Sequence, residues 1–201
     1  PTDLSTEQKI KNAARLIFYQ KGFSATKTRD IATEAGINLA LLNYYFRSKQ
    51  KLFDLIMLES LQNFFSSVKF IFDNADSTLD EKIISIVNGY IDLLIEHPDI
   101  PIFILSEIRN NPEELMNKVG VKEIVMNSFF MQQFKKGIEM GIYKKIHPLH
   151  FFMNLISLTV FPFIAKPILK GVGNLNEKEY LELMQQRKAL IPIWIKAMTQ
   201  I

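Results

Sequence analysis

No cysteine occurs among the 201 residues, which excludes a disulfide framework and any thiolate chemistry. Long apolar runs are also missing. The longest, Phe151 to Ala165, is interrupted by Asn154, Ser157, Thr159 and Pro162. A membrane span needs about 20 mostly apolar residues, so this stretch reads as a buried helix and no membrane partner is expected. The chain holds no Ser-His-Asp order, no glycine-rich phosphate loop and no H-E-x-x-H, so no catalytic constellation presents itself and no enzyme is expected. His147-Pro148-Leu149-His150 offers two imidazoles with no third ligand nearby in sequence, so these residues are expected to cap or begin a helix rather than bind metal. Glu96-His97 and Asp99 read as a helix end. No cofactor is implied. Pro1 to Ile10 is polar and mixed in charge, without a signal-peptide pattern, so a cytoplasmic location is expected.

What is present is an ordinary globular balance, 48% hydrophobic and 22% charged, which argues against disorder. The length allows one large domain or two small ones. Charge is unevenly placed. Residues 1–60 hold nine Lys/Arg against six Asp/Glu, a balance of +3, and residues 61–201 hold fifteen of each. All the net positive charge therefore lies where an anionic partner would be drawn.

Helical periodicity dominates, and no strand of period two stands out. Ser5-x-x-Gln8 opens a first helix as a capping box, with Ile10, Ala13, Ala14 and Ile17 on one face and Gly22 at its end. A second short helix follows Thr26 or Thr28, buries Ile31 and Ala32, and stops at Gly36. Asn38 is expected to cap a third helix through Tyr45, and Ser48 a fourth through about Phe72. After the polar break Asn74–Ser77, helices are expected near 78–96, 101–109, 112–140, 148–170 and 177–199. Their breaks are His97-Pro98, Asn111-Pro112, Gly141 and Gly171–Gly173. The reading is all-α: a three-helix head over 1–48 and a helical body over 49–201.

Two short helices joined by a glycine turn are the helix-turn-helix layout, whose second helix is free to enter a major groove. In that helix Leu41 and Leu42 are expected to pack inward, while Leu39, Ala40, Asn43 and Tyr44 face out. Asparagine suits bidentate contact with adenine, and apolar side chains suit a thymine methyl. The hydroxyls of Tyr44, Tyr45 and Thr28, and the ammonium of Lys49, suit phosphate oxygens.

The stretch resembles the TetR family of transcriptional regulators. The resemblance rests on Ala13-Ala14 through Gly22-Phe23, then on Thr28-Arg29-Asp30-Ile31-Ala32 through Ala35-Gly36-Ile37-Asn38. It continues with Leu42-Asn43-Tyr44-Tyr45-Phe46-Arg47-Ser48-Lys49 to Leu52, and spans residues 10–55. Asn43 stands where the common pattern has Tyr, and Tyr45 where it has His, so the operator is not transferable. The resemblance implies a homodimeric regulator that binds a double-stranded DNA operator through Thr26, Lys27, Thr28, Arg29, Asn38, Leu39, Ala40, Asn43, Tyr44, Tyr45 and Lys49. It also implies an effector pocket in the body, expected among Phe65, Phe103, Met126, Phe130, Phe134, Phe152 and Phe161, for a small apolar molecule. A dimer interface on the last two helices is expected at Phe161, Tyr180, Met184, Ile191, Ile195 and Met198, with Pro192 kinking the final helix. The rival reading is a helical small-molecule-binding protein that no longer binds DNA. A helical enzyme ranks third.

Overall fold

The computed structural model describes residues 5–110 and 112–200; Asn111, one of the expected breaks, lies outside them. Twelve helices make up the described residues, with Tyr143 and Gln200 adding an isolated antiparallel bridge.

The first three build a small unit. α1 (Thr6–Ala25) starts at Ser5, whose hydroxyl accepts from Gln8 N at 3.2 Å. Gln8 turns its own amide to Asn12 at 2.9 Å, so only half of the expected capping box forms. Gly22 breaks α1 with φ +71°. α2 (Thr28–Glu34) and α3 (Leu39–Phe46) pack on α1 through Ile10, Ala14, Phe18, Ile31 and Leu42, all buried. α4 (Lys49–Asp73) leaves this unit capped by Ser48 and runs 25 residues, about 37 Å at 1.5 Å per residue. Leu52, Phe53 and Ile56 on α4 close the head core, and Val68 and Phe72 continue into the core of the body. One rigid rod therefore belongs to both parts.

The body comprises α5 (Leu79–Glu96), α6 (Ile100–Asn110), α7 (Pro112–Val119), α8 (Val121–Met126), α9 (Phe129–Glu139), α10 (Pro148–Ile164), α11 (Lys166–Gly173) and α12 (Glu177–Thr199). Two expected helices are broken. The 112–140 segment is three helices, because Gly120 sits at φ +69° and Ser128 caps a new start by accepting from Met131 N at 3.3 Å. The 148–170 segment bends by 71° at Ala165, between α10 and α11. α12 runs as a single helix with Pro192 inside it, over the span expected. Lys82 is fully buried, and its ammonium donates to Asn74 O, Ser77 O and Gln133 Oε1 at 2.6, 2.8 and 3.0 Å, clamping the α4–α5 turn to α9. Burial lowers its pKa, but three acceptors satisfy the cation.

Pro162 lies inside α10 and has no N–H, which strands the carbonyl of Leu158 four residues back. Arg187 on α12 donates Nη2 to that carbonyl, and Tyr180 Oη donates to Pro162 O at 3.1 Å. The bend is thus held by α12. Among the described residues no single helix is long and apolar enough to cross a membrane.

Candidate nucleic-acid interface

α2 ends because Ala35 is followed by Gly36 at φ +67°, a conformation that costs glycine little. Gly36 N donates to Thr33 O at 3.1 Å and Ile37 N to Ala32 O at 3.0 Å, the paired bonds of a Schellman ending. The turn points the chain into α3, where Asn38 Oδ1 accepts from Leu41 N at 2.8 Å. Asn38 is therefore held as a cap.

On α3, Leu42 and Phe46 are buried and Leu39 packs against the same core. The outward orientation expected of Leu39 is corrected accordingly: Leu39 is half-buried and packs on the core one helical turn before Leu42, and Leu41 is half-buried as well. Ala40, Asn43, Tyr44 and Tyr45 are exposed, with Tyr44 79% accessible and its ring edge-on to Tyr45 at 5.4 Å. An amide and two phenols thus project from a helix whose other side is fixed in a core.

The connection before α2 is built differently from what its residue types suggest. Thr26 is buried, and its hydroxyl donates to Gly22 O at 2.7 Å. Lys49 donates to Phe23 O at 2.8 Å and Thr26 O at 2.9 Å, with its nitrogen 4.2 Å above the Phe23 ring. Both groups face the head itself. Lys27 and Arg29 are exposed and Thr28 is half-buried at the first turn of α2. Asp30 accepts from Lys21 at 3.0 Å and from Lys27 N at 3.2 Å, and the Lys21 ammonium holds its carboxyl below the usual range.

The expected pocket residues are placed otherwise. Phe130, Phe134 and Phe103 are buried; Phe130 stacks on Phe72 at 4.1 Å and Phe134 on Phe151 at 4.2 Å, so these rings fill the core rather than line a cavity. Phe65, Met126 and Phe152 are half-buried against that core, and Phe161 is 60% exposed. A cleft of about 470 Å³ lies instead between α1, α4 and α5, where Tyr19, Phe64 and His97 contribute rings.

The expected interface seam also needs correction. Tyr180, Met184, Ile191 and Ile195 are buried inside the chain, on the side of α12 that packs on α5 and α10. Phe161 and Met198 are exposed, and with Ile168, Val172, Leu183 and Leu190 they form the outward apolar surface of α10, α11 and α12. His147 Nδ1 caps α10 by accepting from Leu149 N at 3.2 Å, and His150 is exposed.

One feature was invisible as chemistry in the sequence. Asp99, in the α5–α6 turn, accepts the Phe23 N–H at 3.2 Å, and His97 lies against Tyr19 with ring centroids 4.0 Å apart. The body turn thus grips the end of α1, although its residues read only as a helix end.

Residues 10–56 match the sequence model of the bacterial regulatory proteins of the tetR family. The chain is 26% identical over 199 residues to "Probable HTH-type transcriptional regulator YttP" of Bacillus subtilis (strain 168), a match covering 96% of this chain and 94% of that protein. It is 31% identical over 77 residues, 38% of either chain, to the HTH-type transcriptional repressor KstR2 of Mycolicibacterium smegmatis. In fold it is similar to the crystal structure of the transcriptional regulator FadR from Bacillus subtilis in complex with stearoyl-CoA, with a TM-score of 0.58, 18% identity, and coverage of 92% of this chain and 96% of that one. Its helix-turn-helix, residues 10–56, thus matches the TetR family of transcriptional regulators in register, and its whole length is similar to a probable regulator of the helix-turn-helix type.

Proposed function

We propose that this protein is a homodimeric repressor that holds a palindromic DNA operator and releases it when a small apolar molecule binds the body. The observation that carries the reading is α3, anchored by Leu39, Leu42 and Phe46 while Asn43 and Tyr44 stand in solvent. Such a helix presents an adenine-reading amide and phosphate-reaching hydroxyls on a rigid base. Residues 1–48 form the DNA-binding head and 49–201 the effector-binding and dimerisation body. Lys27, Thr28, Arg29, Ala40, Asn43, Tyr44 and Tyr45 contact DNA, while Asn38, Leu39, Thr26 and Lys49 hold the head in shape. One short helix buries too little for specific binding, so two heads on a two-fold axis are required. The outward surface of Phe161, Val172, Leu183 and Leu190 supplies that axis. The complex of FadR with stearoyl-CoA supports a ligand held by this fold, and the repressor role of KstR2 supports the sign of regulation.

The test is fluorescence anisotropy with DNA flanking the gene, titrated against salt. Specific binding to a palindromic fragment, at least about a thousandfold tighter than to scrambled DNA, is expected. Equal weak binding to both fragments would favour the rival, a ligand-binding protein without an operator.

A further inference from the structure

We propose that the α9–α10 turn docks this protein on an anionic lipid surface, with Met140 and Ile142 entering the bilayer edge between four lysines. The docking itself does not depend on the repressor reading above; only the pairing of two turns in a dimer does.

Residues 135–145 read Lys-Lys-Gly-Ile-Glu-Met-Gly-Ile-Tyr-Lys-Lys, two lysine pairs around an apolar apex. They hold four lysines and one glutamate, while the rest of 61–201 holds eleven Lys/Arg and fourteen Asp/Glu. Positive charge is thus gathered on this turn in a body that is otherwise acidic. All four lysines are exposed. Lys144 Nζ donates to Ala197 O at 3.3 Å, and Lys135, Lys136 and Lys145 have no ion-pair partner among the described residues.

The apex is built on a fixed frame. Gly141, at φ +73°, closes α9: its N–H donates to Ile138 O at 3.1 Å, and Ile142 N donates to Gly137 O at 2.9 Å. These are the paired bonds of a Schellman ending, in which a residue placed like Ile142 frequently packs on one placed like Gly137. Here glycine offers nothing to pack on, and the Tyr143 ring fills the space. A Cβ on Gly137 would meet Tyr143 Cδ2 at 2.2 Å. Tyr143 is held in turn by the Phe134 ring at 5.5 Å and by the bridge to Gln200. Ile142 is therefore left outward at 49% exposure, beside Met140 at 64%.

A convex apolar apex with cations at its base suits the edge of a bilayer. The aliphatic groups leave water, the lysine stems lie along the interface, and the ammonium groups reach lipid phosphates. Nucleic acid would reward the lysines but not the apex, and the Tyr143 ring is packed on Gly137 rather than offered for base stacking. The membrane partner that the sequence argued against was one to be spanned, and docking at the interface needs no span.

The turn also lies at the right end of the molecule. Lys144 N donates to Thr199 O in the last turn of α12, and Lys196 pairs with Asp80 in the first turn of α5 at 3.5 Å. That is the end of the body where α4 finishes, about 37 Å from the end where α4 leaves the head. Of the acids there, Asp73 is paired with Lys69 at 2.7 Å, Asp80 with Lys196, and Glu81 accepts from Thr78 N at 2.8 Å. Asp76 and Glu139 remain exposed against the four lysines. A two-fold axis that sets both heads on one duplex points both turns the opposite way, toward one surface, where two weak contacts reinforce each other.

The experiment sediments the full chain with vesicles of phosphatidylcholine and phosphatidylglycerol in equal parts, at an ionic strength of about 0.1 M. Saturable binding is expected, and pure phosphatidylcholine vesicles should bind at least about tenfold more weakly. Lys136→Gln with Lys145→Gln should weaken binding about 25-fold, about fivefold for each lysine. Met140→Ser with Ile142→Ser should weaken it at least about tenfold at unchanged charge. All four side chains are exposed, so circular dichroism, melting temperature and duplex affinity should match wild type in both variants. No binding to the anionic vesicles overturns the proposal, as does wild-type binding by the lysine variant. Full binding by the serine variant would make the turn a site for any polyanion and overturn the lipid assignment. A lysine variant that loses duplex affinity in step with vesicle affinity would assign the turn to nucleic acid and overturn it likewise. So would vesicle binding that is lost in Lys27→Gln with Arg29→Gln and kept in the turn variants, since the contact would then lie on the head. A chain that binds vesicles through the turn yet binds no duplex upholds the docking and refutes the repressor reading.

Discussion

Replacing Lys49 by methionine keeps most of the stem and removes the ammonium that holds Phe23 O and Thr26 O. Hydrogen bonds from a charged donor contribute about 1.5–3 kcal/mol each. Lys49 is half-buried, so water regains part of the loss at each carbonyl; about 0.75 kcal/mol per bond remains after halving the lower figure. The cation over the Phe23 ring adds about 0.5 kcal/mol. The expected destabilisation is therefore about 2 kcal/mol. With an m-value of about 2–3 kcal/mol per molar urea, the unfolding midpoint should fall by roughly 0.7–1 M. DNA affinity should fall for every sequence, because the connection that positions Lys27 and Thr28 loosens. The salt dependence of that affinity should stay parallel to wild type. A lysine that neutralises one phosphate predicts the opposite pattern: an unchanged midpoint and a log–log salt slope shallower by about 0.9. That second result would refute the clamp and restore the reading of Lys49 drawn from its position in the sequence.

Asn43→Ala should cost about 1–3 kcal/mol at a single operator position and relax preference there, as read by binding to a library with each position varied; uniform loss would place Asn43 on the backbone. Ile191→Asp should unfold the chain, since a carboxylate at a fully buried site has no partner to receive it; Val172→Asp, at 85% exposure, should leave circular dichroism intact and convert dimers to monomers by light scattering. For His97 the sign follows from burial: its pKa is lowered, so the folded state favours the neutral ring. Stability from this source is complete above the unfolded value of about 6.5 and is lost as pH falls through the lower folded value. Glu96, Arg15 and Tyr19 face the ring, and His97→Phe should flatten this part of the fall in melting temperature between about pH 7.5 and 5.5.

The head was legible because its determinants are local. Gly36, Asn38 and Ser48 each act within three residues of themselves, and Ile31, Ala32, Leu42 and Phe46 close a core over a short span of chain. The body was legible in its helices but less so in their breaks, because Gly120 and Ser128 compete with the apolar periodicity around them. Periodicity also says which residues share a face without saying what that face meets. Ile191 and Ile195 share a seam with Tyr180, yet it packs on this chain's own α5 and α10. Lys49 fails for a related reason. A cation's acceptor is a fact of three dimensions, and a carbonyl and a phosphate oxygen are equivalent invitations to it.

Pro162, just before the bend at Ala165, ties two positions together as a question of heredity. Restoring an N–H at 162 would give the Leu158 carbonyl a second donor from its own helix and make the Arg187 guanidinium dispensable as its partner, while Arg187 Nε has no partner among the described residues already. Losing Arg187 first would strand the carbonyl. Arg187 can therefore be lost at little cost only after Pro162 has gone, so drift at one site is conditional on the other although 25 positions separate them in the chain.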